Sequence, residues 1–303
     1  MYVPIGGIDQ WIQFGKTEPS RPILLYLHGG PGGTSVPAAA AWKPWEERFT
    51  VVHWDQRGAG RTFARNGEDG CGPLSLDRML RDALEVVEFL LDELHRPTVL
   101  LVGHSWGSAL GVHMLKRRPE LFAAFVGTGQ VVNGQENELY NYRRHIESAK
   151  QLGALDILQV LEELGPPPHS DWERLRQLHE WADRTADGNG DPVEPRPRPI
   201  ATDFKPDEVP TMMRGLQFSR RQLLQEIRAI NLPALGLTFG LPMFFFHGTH
   251  DHYTPMELAE RYCASIVAPH KEFVRFEGCH HFVAMNRPED FLRELVTRVR
   301  PLL

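Results

Sequence analysis

The chain has 303 residues, 42% of them hydrophobic and 24% charged, enough to bury a full core in one catalytic domain carrying an insertion. Its formal net charge of −6 offers no clustered cations to meet phosphates, so no nucleic-acid partner is expected. The only cysteines, Cys71, Cys263 and Cys279, cannot build a disulfide framework and read as free thiols, and no signal peptide or membrane-length apolar run is evident, so a cytoplasmic location without a membrane partner is expected.

In chain order, the first residues, 11–14 among them, predict an antiparallel edge strand. Apolar runs bounded by Gly or Pro follow at 23–27, 50–54, 98–102, 122–126, 243–246 and 272–276, and such runs predict strands buried on both faces. Between them, 77–94, 106–118, 255–264 and 288–299 carry helical spacing, the last two opening on Pro255 and Pro288, which suit a first helical turn. In the first of these helices Leu80, Leu84, Val87, Leu90, Leu91 and Leu94 fall on one side. Strand and helix in alternation imply parallel pairing with right-handed crossovers, hence an α/β fold with a doubly wound, mostly parallel sheet. The alternation breaks between about 129 and 241, where helical pieces at 138–152 and 172–185 lack strands between them and a Pro- and Gly-rich tract at 187–210 follows. The expected division is a catalytic domain of residues 1–128 and 236–303 and a helical cap of residues 129–235.

Chemistry concentrates at strand ends. Ser105 follows one predicted strand and opens a helix within Gly103-His104-Ser105-Trp106-Gly107, and a nucleophile on so sharp a turn needs small neighbours. Another strand leads into His28-Gly29-Gly30-Pro31-Gly32-Gly33, where backbone N–H groups can approach a developing oxyanion unobstructed. Gly30 and Trp106 are the expected N–H donors. A phosphate-binding loop would require Gly-Lys-Ser/Thr at its end, and this one runs on to Thr34-Ser35 without lysine. The hydroxyl needs a base and the base an orienting acid; Asp251 and His281 lie on loops after late strands, in the order Ser, Asp, His. His247, His250, His252, His280 and His281 also raise a zinc reading, which no His-Glu-x-x-His helix supports. No cofactor or metal is expected.

Three motifs together resemble the α/β-hydrolase fold superfamily and, within it, the proline iminopeptidase branch: His28 to Gly33, then Trp54-Asp55-Gln56-Arg57-Gly58-Ala59-Gly60-Arg61-Thr62, then Gly103 to Ser108. The resemblance covers residues 1–128 and 236–303 and implies Ser105, Asp251 and His281 as the triad, with Asp55 and Arg57 bracing the oxyanion loop. The family usually has Gly before the histidine where this chain has His280, which leaves His280 and His281 as alternatives for the base; the following Phe282 and Asn286-Arg287-Pro288-Glu289-Asp290-Phe291 favour His281. Iminopeptidases are expected to meet the substrate's N-terminal amine with cap carboxylates. Glu136, Glu138, Asp171, Glu173 and Glu180 are available acids, while Trp172, Trp181, Tyr140, Phe204 and Phe218 serve equally as pocket walls or core. The implied activity is acyl transfer on a small-molecule or short-peptide substrate, releasing N-terminal residues. The alternatives are a carboxylic ester or lactone hydrolase and, from another class, a noncatalytic ligand-binding protein. Nothing in the pattern sets a subunit count.

Overall fold

The computed structural model describes residues 1–15, 17–169, 178, 181 and 205–303. Eight strands form one sheet in the order β1-β2-β4-β3-β5-β6-β7-β8. They are β1 (Tyr2–Ile5), β2 (Ile8–Phe14), β3 (Ile23–Leu27), β4 (Thr50–Asp55), β5 (Val99–His104), β6 (Phe122–Thr128), β7 (Met243–Gly248) and β8 (Lys271–Phe276). The predicted antiparallel edge is in fact a hairpin: β1 turns through Gly6 and Gly7, both at positive φ, into β2, which pairs antiparallel with β4. Every other pairing is parallel.

All residues of β3, β4, β5 and β7 are buried, which is why these strands read as unbroken apolar runs. Their side chains alternate between two cores, Leu25, Leu27, Val52 and Leu101 on one face of the sheet and Leu24, Tyr26, Val51 and Leu100 on the other. Full burial was also expected for the last run, but β8 is an edge strand whose residues are mostly part-exposed; Lys271, Glu272 and Arg275 keep that edge charged.

The helices are α1 (Gly60–Cys71), α2 (Leu76–Glu93), α3 (Trp106–Arg117), α4 (Gly134–Leu152), α5 (Leu155–Leu164), α6 (Val209–Ala229), α7 (Met256–Ser265), α8 (Val283–Asn286) and α9 (Pro288–Glu294). Ser75 starts α2 by accepting a hydrogen bond from the Arg78 N–H at 3.1 Å. The buried stripe of α2 is Met79, Ala83, Val86, Val87 and Leu90, whereas Leu80, Leu84, Leu91 and Leu94 flank it part-buried. The rotation away from the leucine-only stripe brings Asp82 inside, where Arg57 and Arg78 pair with it at 2.6 and 2.5 Å.

No strand separates α4, α5 and α6 among the described residues, in line with the break in the alternation. Helix α4 starts four residues before its predicted beginning, at an Asn133 side chain that accepts from the Glu136 N–H at 3.0 Å. The predicted helix at 172–185 lies outside the described residues, Leu178 and Trp181 excepted; both are buried beside Ala149 and Leu161. Part of the predicted connector is helical instead, because α6 begins at Val209 with Pro210 in its first turn. Cys71, Cys263 and Cys279 are buried free thiols. Among the described residues no helix is long and apolar enough to cross a membrane.

Candidate active site

Strand β5 ends at His104, and the chain turns into α3 through Ser105 at φ 54°, ψ −122°, a backbone region that L-residues rarely adopt and that stores strain. The turn is tied down by Ser105 N–H donating to the Thr128 carbonyl at 2.9 Å and Ser108 N–H donating to the Ser105 carbonyl at 2.8 Å. Its glycines are sterically required. A Cβ at Gly103 would stand 2.5 Å from the Gly107 carbonyl oxygen, and one at Gly107 would collide with the Leu27 carbonyl.

The loops after β7 and β8 bring Asp251 and His281 together. His281 Nδ1 lies 2.8 Å from Asp251 Oδ2; an ionised carboxylate only accepts, so Nδ1 carries the proton and Nε2 presents a lone pair. Asp251 is held by its own loop. Oδ1 accepts from the Tyr253 and Thr254 N–H groups at 2.9 Å each, Oδ2 accepts from Thr254 Oγ1 at 2.8 Å, and His247 Nε2 stands 3.3 Å from Oδ2. Burial pushes this carboxyl's pKa up, but the His281 and His247 imidazoles more than reverse it and hold it well below the usual range. His280 points elsewhere, its ring 5.8 Å from that of His250 and 5.7 Å from that of His252. Gly129, at φ 53°, leaves room for the His281 ring, since a Cβ there would stand 2.7 Å from His281 Cε1.

The loop after β3 is locked to the elbow by residues whose role sequence reasoning missed. Gln56 N–H donates to His28 Nε2, Gln56 Nε2 donates to the His28 carbonyl, and the Trp106 indole donates to Gln56 Oε1, each at 3.1 Å. His28 Nδ1 donates to the Gly29 carbonyl at 2.8 Å, so both ring nitrogens are used in the neutral form. Burial lowers the pKa of His28 to about 4, which keeps the ring neutral. A buried His and Gln at the ends of adjacent strands were the available signal. Gly30 takes φ 127°, where a Cβ would stand 2.6 Å from the Gly33 nitrogen. Trp106 N–H belongs to the first turn of α3, whose amides lack intrahelical acceptors. Asp55 accepts from Thr34 Oγ1 at 2.5 Å and from the Arg61 N–H at 2.8 Å, bracing the far end of this loop. Arg57 instead spans Asp82, the Gly6 carbonyl and the Cys71 carbonyl.

A cavity of about 380 Å³ opens over these strand ends, lined by Gly30, Ser105, His281 and residues of α4 and α6. Its walls are largely apolar, with Val131, Leu216, Leu224 and Ile227 inside and Phe282 39% exposed. Glu138 is the one carboxylate among the described lining residues, and Arg228 Nε donates to it at 2.7 Å across α4 and α6. Arg220 also lines the cavity, its pKa lowered by burial. Helix α4 grips the loop bearing Asp251: Asn137 and Asn141 donate to the Tyr253 carbonyl at 2.8 and 2.9 Å, and Arg144 donates to the Asp251 carbonyl at 3.0 Å.

Of the other acids singled out in the sequence, Glu136 pairs with Arg261 away from the cavity, and Asp171, Glu173 and Glu180 lie outside the described residues, as do Trp172 and Phe204. Phe218 is buried against Phe63, Trp181 is buried, and Tyr140 is not among the cavity's lining residues. Among the described residues no group of three or more His, Cys, Asp or Glu side chains is arranged to hold a metal ion.

Comparison with known proteins adds to this geometry. A probable aminopeptidase, YbaC, of Bacillus subtilis is 28% identical over 307 residues, covering 98% of this chain and 94% of that protein. A proline iminopeptidase of Arabidopsis thaliana is 30% identical over 119 residues, 39% of this chain and 29% of that protein. The crystal structure of a proline iminopeptidase-related protein from Thermus thermophilus superposes with a TM-score of 0.64 at 19% identity, over 100% of this chain and 98% of that one. The family model described as alpha/beta hydrolase fold matches residues 22–288. With a sheet whose strand ends carry the serine elbow and the loops facing it, the chain belongs to the alpha/beta hydrolase fold family.

Proposed function

We propose that the protein is a serine hydrolase working through an acyl-enzyme on Ser105, and that it releases N-terminal residues from small peptides as a proline iminopeptidase-like aminopeptidase. The observation that carries the serine mechanism is the 2.8 Å His281–Asp251 contact facing the same cavity as the strained Ser105 turn. In this reading His281 Nε2 takes the Ser105 proton as Oγ attacks the substrate carbonyl, and Asp251 holds the tautomer and stabilises the imidazolium. The Gly30 and Trp106 N–H groups receive the oxyanion. Collapse of the tetrahedral intermediate returns the proton to the leaving amine, and a water activated by His281 then releases the acyl group.

The aminopeptidase assignment is supported by the near full-length likeness to YbaC and by the Glu138 carboxylate in the cavity wall, a counter-charge for a substrate amine. The insertion 129–235 then acts as a helical cap whose α4 and α6 enclose the substrate. Ester or lactone hydrolysis is the second reading, favoured by the apolar lining of Val131, Leu216, Leu224 and Ile227.

A panel of aminoacyl and prolyl amides with free and blocked N-termini, run beside short-chain esters and lactones with wild type and Ser105→Ala, tests both. Turnover of free-amine amides that disappears in Ser105→Ala is the expected result. Ester or lactone turnover alone would keep the serine mechanism and discard the peptidase assignment.

A further inference from the structure

Asn141 sits on the cavity face of α4, 5% exposed. Its Nδ2 donates to the Tyr253 carbonyl at 2.9 Å, and Asn137 donates to the same oxygen at 2.8 Å. A carbonyl oxygen only accepts, so the Asn141 carboxamide cannot turn over: its oxygen would then face the Tyr253 oxygen. The orientation leaves Asn141 Oδ1 as a fixed acceptor, buried and with no hydrogen-bond partner among the described residues. Such acceptors are uncommon in folded proteins and costly to leave unmade.

Two neighbours say what kind of donor would fill it. Tyr253, whose carbonyl Asn141 holds, sets its ring against His281 with centroids 4.9 Å apart and the planes tilted by 31°, so the residue that Asn141 clamps also touches the base. One helical turn before Asn141 on the same face is Glu138, whose Oε1 is committed to Arg228 and whose carboxylate lines the same cavity. Residues three apart on a helix are neighbours. An α-ammonium carries two or three N–H donors and a positive charge, and can bond both acceptors at once; an acylated amine offers one donor at most and no charge.

We propose that Asn141 is a specificity-determining residue whose Oδ1 accepts a hydrogen bond from the substrate's free α-amine, with the Glu138 carboxylate as the second acceptor. The inference rests on the aminopeptidase reading and assigns that reading's amine site to a neutral amide beside an acid already paired with arginine.

The test uses an aminoacyl p-nitroanilide and its des-amino analogue, both read by p-nitroaniline release, and takes the ratio of their kcat/KM values. Wild type is expected to favour the free amine, and Asn141→Leu to lower that ratio about tenfold or more, the effect of losing a hydrogen bond to a charged group. Asn141→Asp loses the donor to the Tyr253 carbonyl, a loss that falls on both substrates alike, but keeps an acceptor and adds charge on the cavity side, so the ratio is expected to hold or rise even as both kcat/KM values drop; it decides the matter if the leucine variant does not fold. An Asn141→Leu loss that falls equally on both substrates, leaving the ratio intact, overturns the proposal and makes Asn141 a clamp for the Tyr253 loop alone. A lowered ratio in Asn141→Asp overturns it as well. A wild-type enzyme indifferent to the amine removes the aminopeptidase reading and this inference with it, an outcome distinct from a wild-type preference that Asn141→Leu leaves unchanged.

Discussion

Replacing Asp251 by Asn keeps the side chain's size but removes the charge that His281 would meet on protonation, and kcat is expected to fall by about 10⁴, as in other triads of this kind. Steady-state kinetics on a protein with an unchanged circular dichroism spectrum checks this, and near wild-type turnover would reject the role given to Asp251. Gly129→Ala would drive a methyl into the space of the His281 ring from a backbone at φ 53°; the expected outcome is a loss of kcat well beyond any loss of binding, read as kcat and KM separately.

Asp55 makes a pH-dependent contribution of opposite sign to that of Asp251. Burial raises its pKa from 3.8 to about 6, so between those values the folded protein keeps a proton that the unfolded chain has lost. Stability therefore falls as pH rises from about 4 to 6, by about 3 kcal/mol for this group, and stays lowered above that. For Asp251, held below its ordinary range, stability is present above pH 3.8 and is lost as pH falls further. Asp55→Asn loses one of two accepted hydrogen bonds at every pH but removes the first slope. Denaturant midpoints between pH 4 and 7 should thus show the variant gaining on wild type as pH rises, and parallel profiles would contradict the assignment.

At the scale of elements, α6 is seated on the loops after β3 and β4 by small residues. Ser219 Oγ donates to the Gly58 carbonyl at 2.9 Å, and Cβ atoms at Gly32 and Gly58 would strike Ser219. Ser219→Leu would force the helix outward, with an expected cost of about 1–3 kcal/mol and a raised KM, measured by denaturant unfolding and by kinetics on the same preparation. This seat also shows why α6 was illegible in the sequence. Pro210 and the charged tract before it resemble a connector until the helix is seen to begin there, and the small residues Gly215 and Ser219 carry the docking that an apolar stripe would normally announce. Helix α1 was hidden in a similar way, since its Gly67 interrupts the helical backbone. The leucine stripe expected on α2 was displaced because pairing with Arg57 and Arg78 makes Asp82 a buried residue.

Across the whole molecule, what the sequence made legible was what the sheet demands locally. Strands buried on both faces must be continuous apolar runs, and Gly30, Gly103 and Gly107 are forced by backbone approaches under 3 Å, so both the parallel core and the tight turns after β3 and β5 could be read from the chain. The links between loops could not. The chain from Trp106 through Gln56 to His28 joins residues 50 and 28 positions apart, and the grip of Asn137, Asn141 and Arg144 on the Asp251 loop spans more than 100. No periodicity encodes such contacts. They make α4 part of the candidate site's construction, because a helix that walls the cavity also holds the loop bearing Asp251.

The central claim is that Ser105 is the nucleophile of an acyl-enzyme, and intact-mass spectrometry after reaction with a fluorophosphonate tests it most directly. One adduct per chain, mapped by peptide sequencing to Ser105, formed in step with loss of hydrolytic activity and absent from Ser105→Ala, is the predicted result. Activity that survives full modification of Ser105, or an inactivating adduct on another residue, would contradict it.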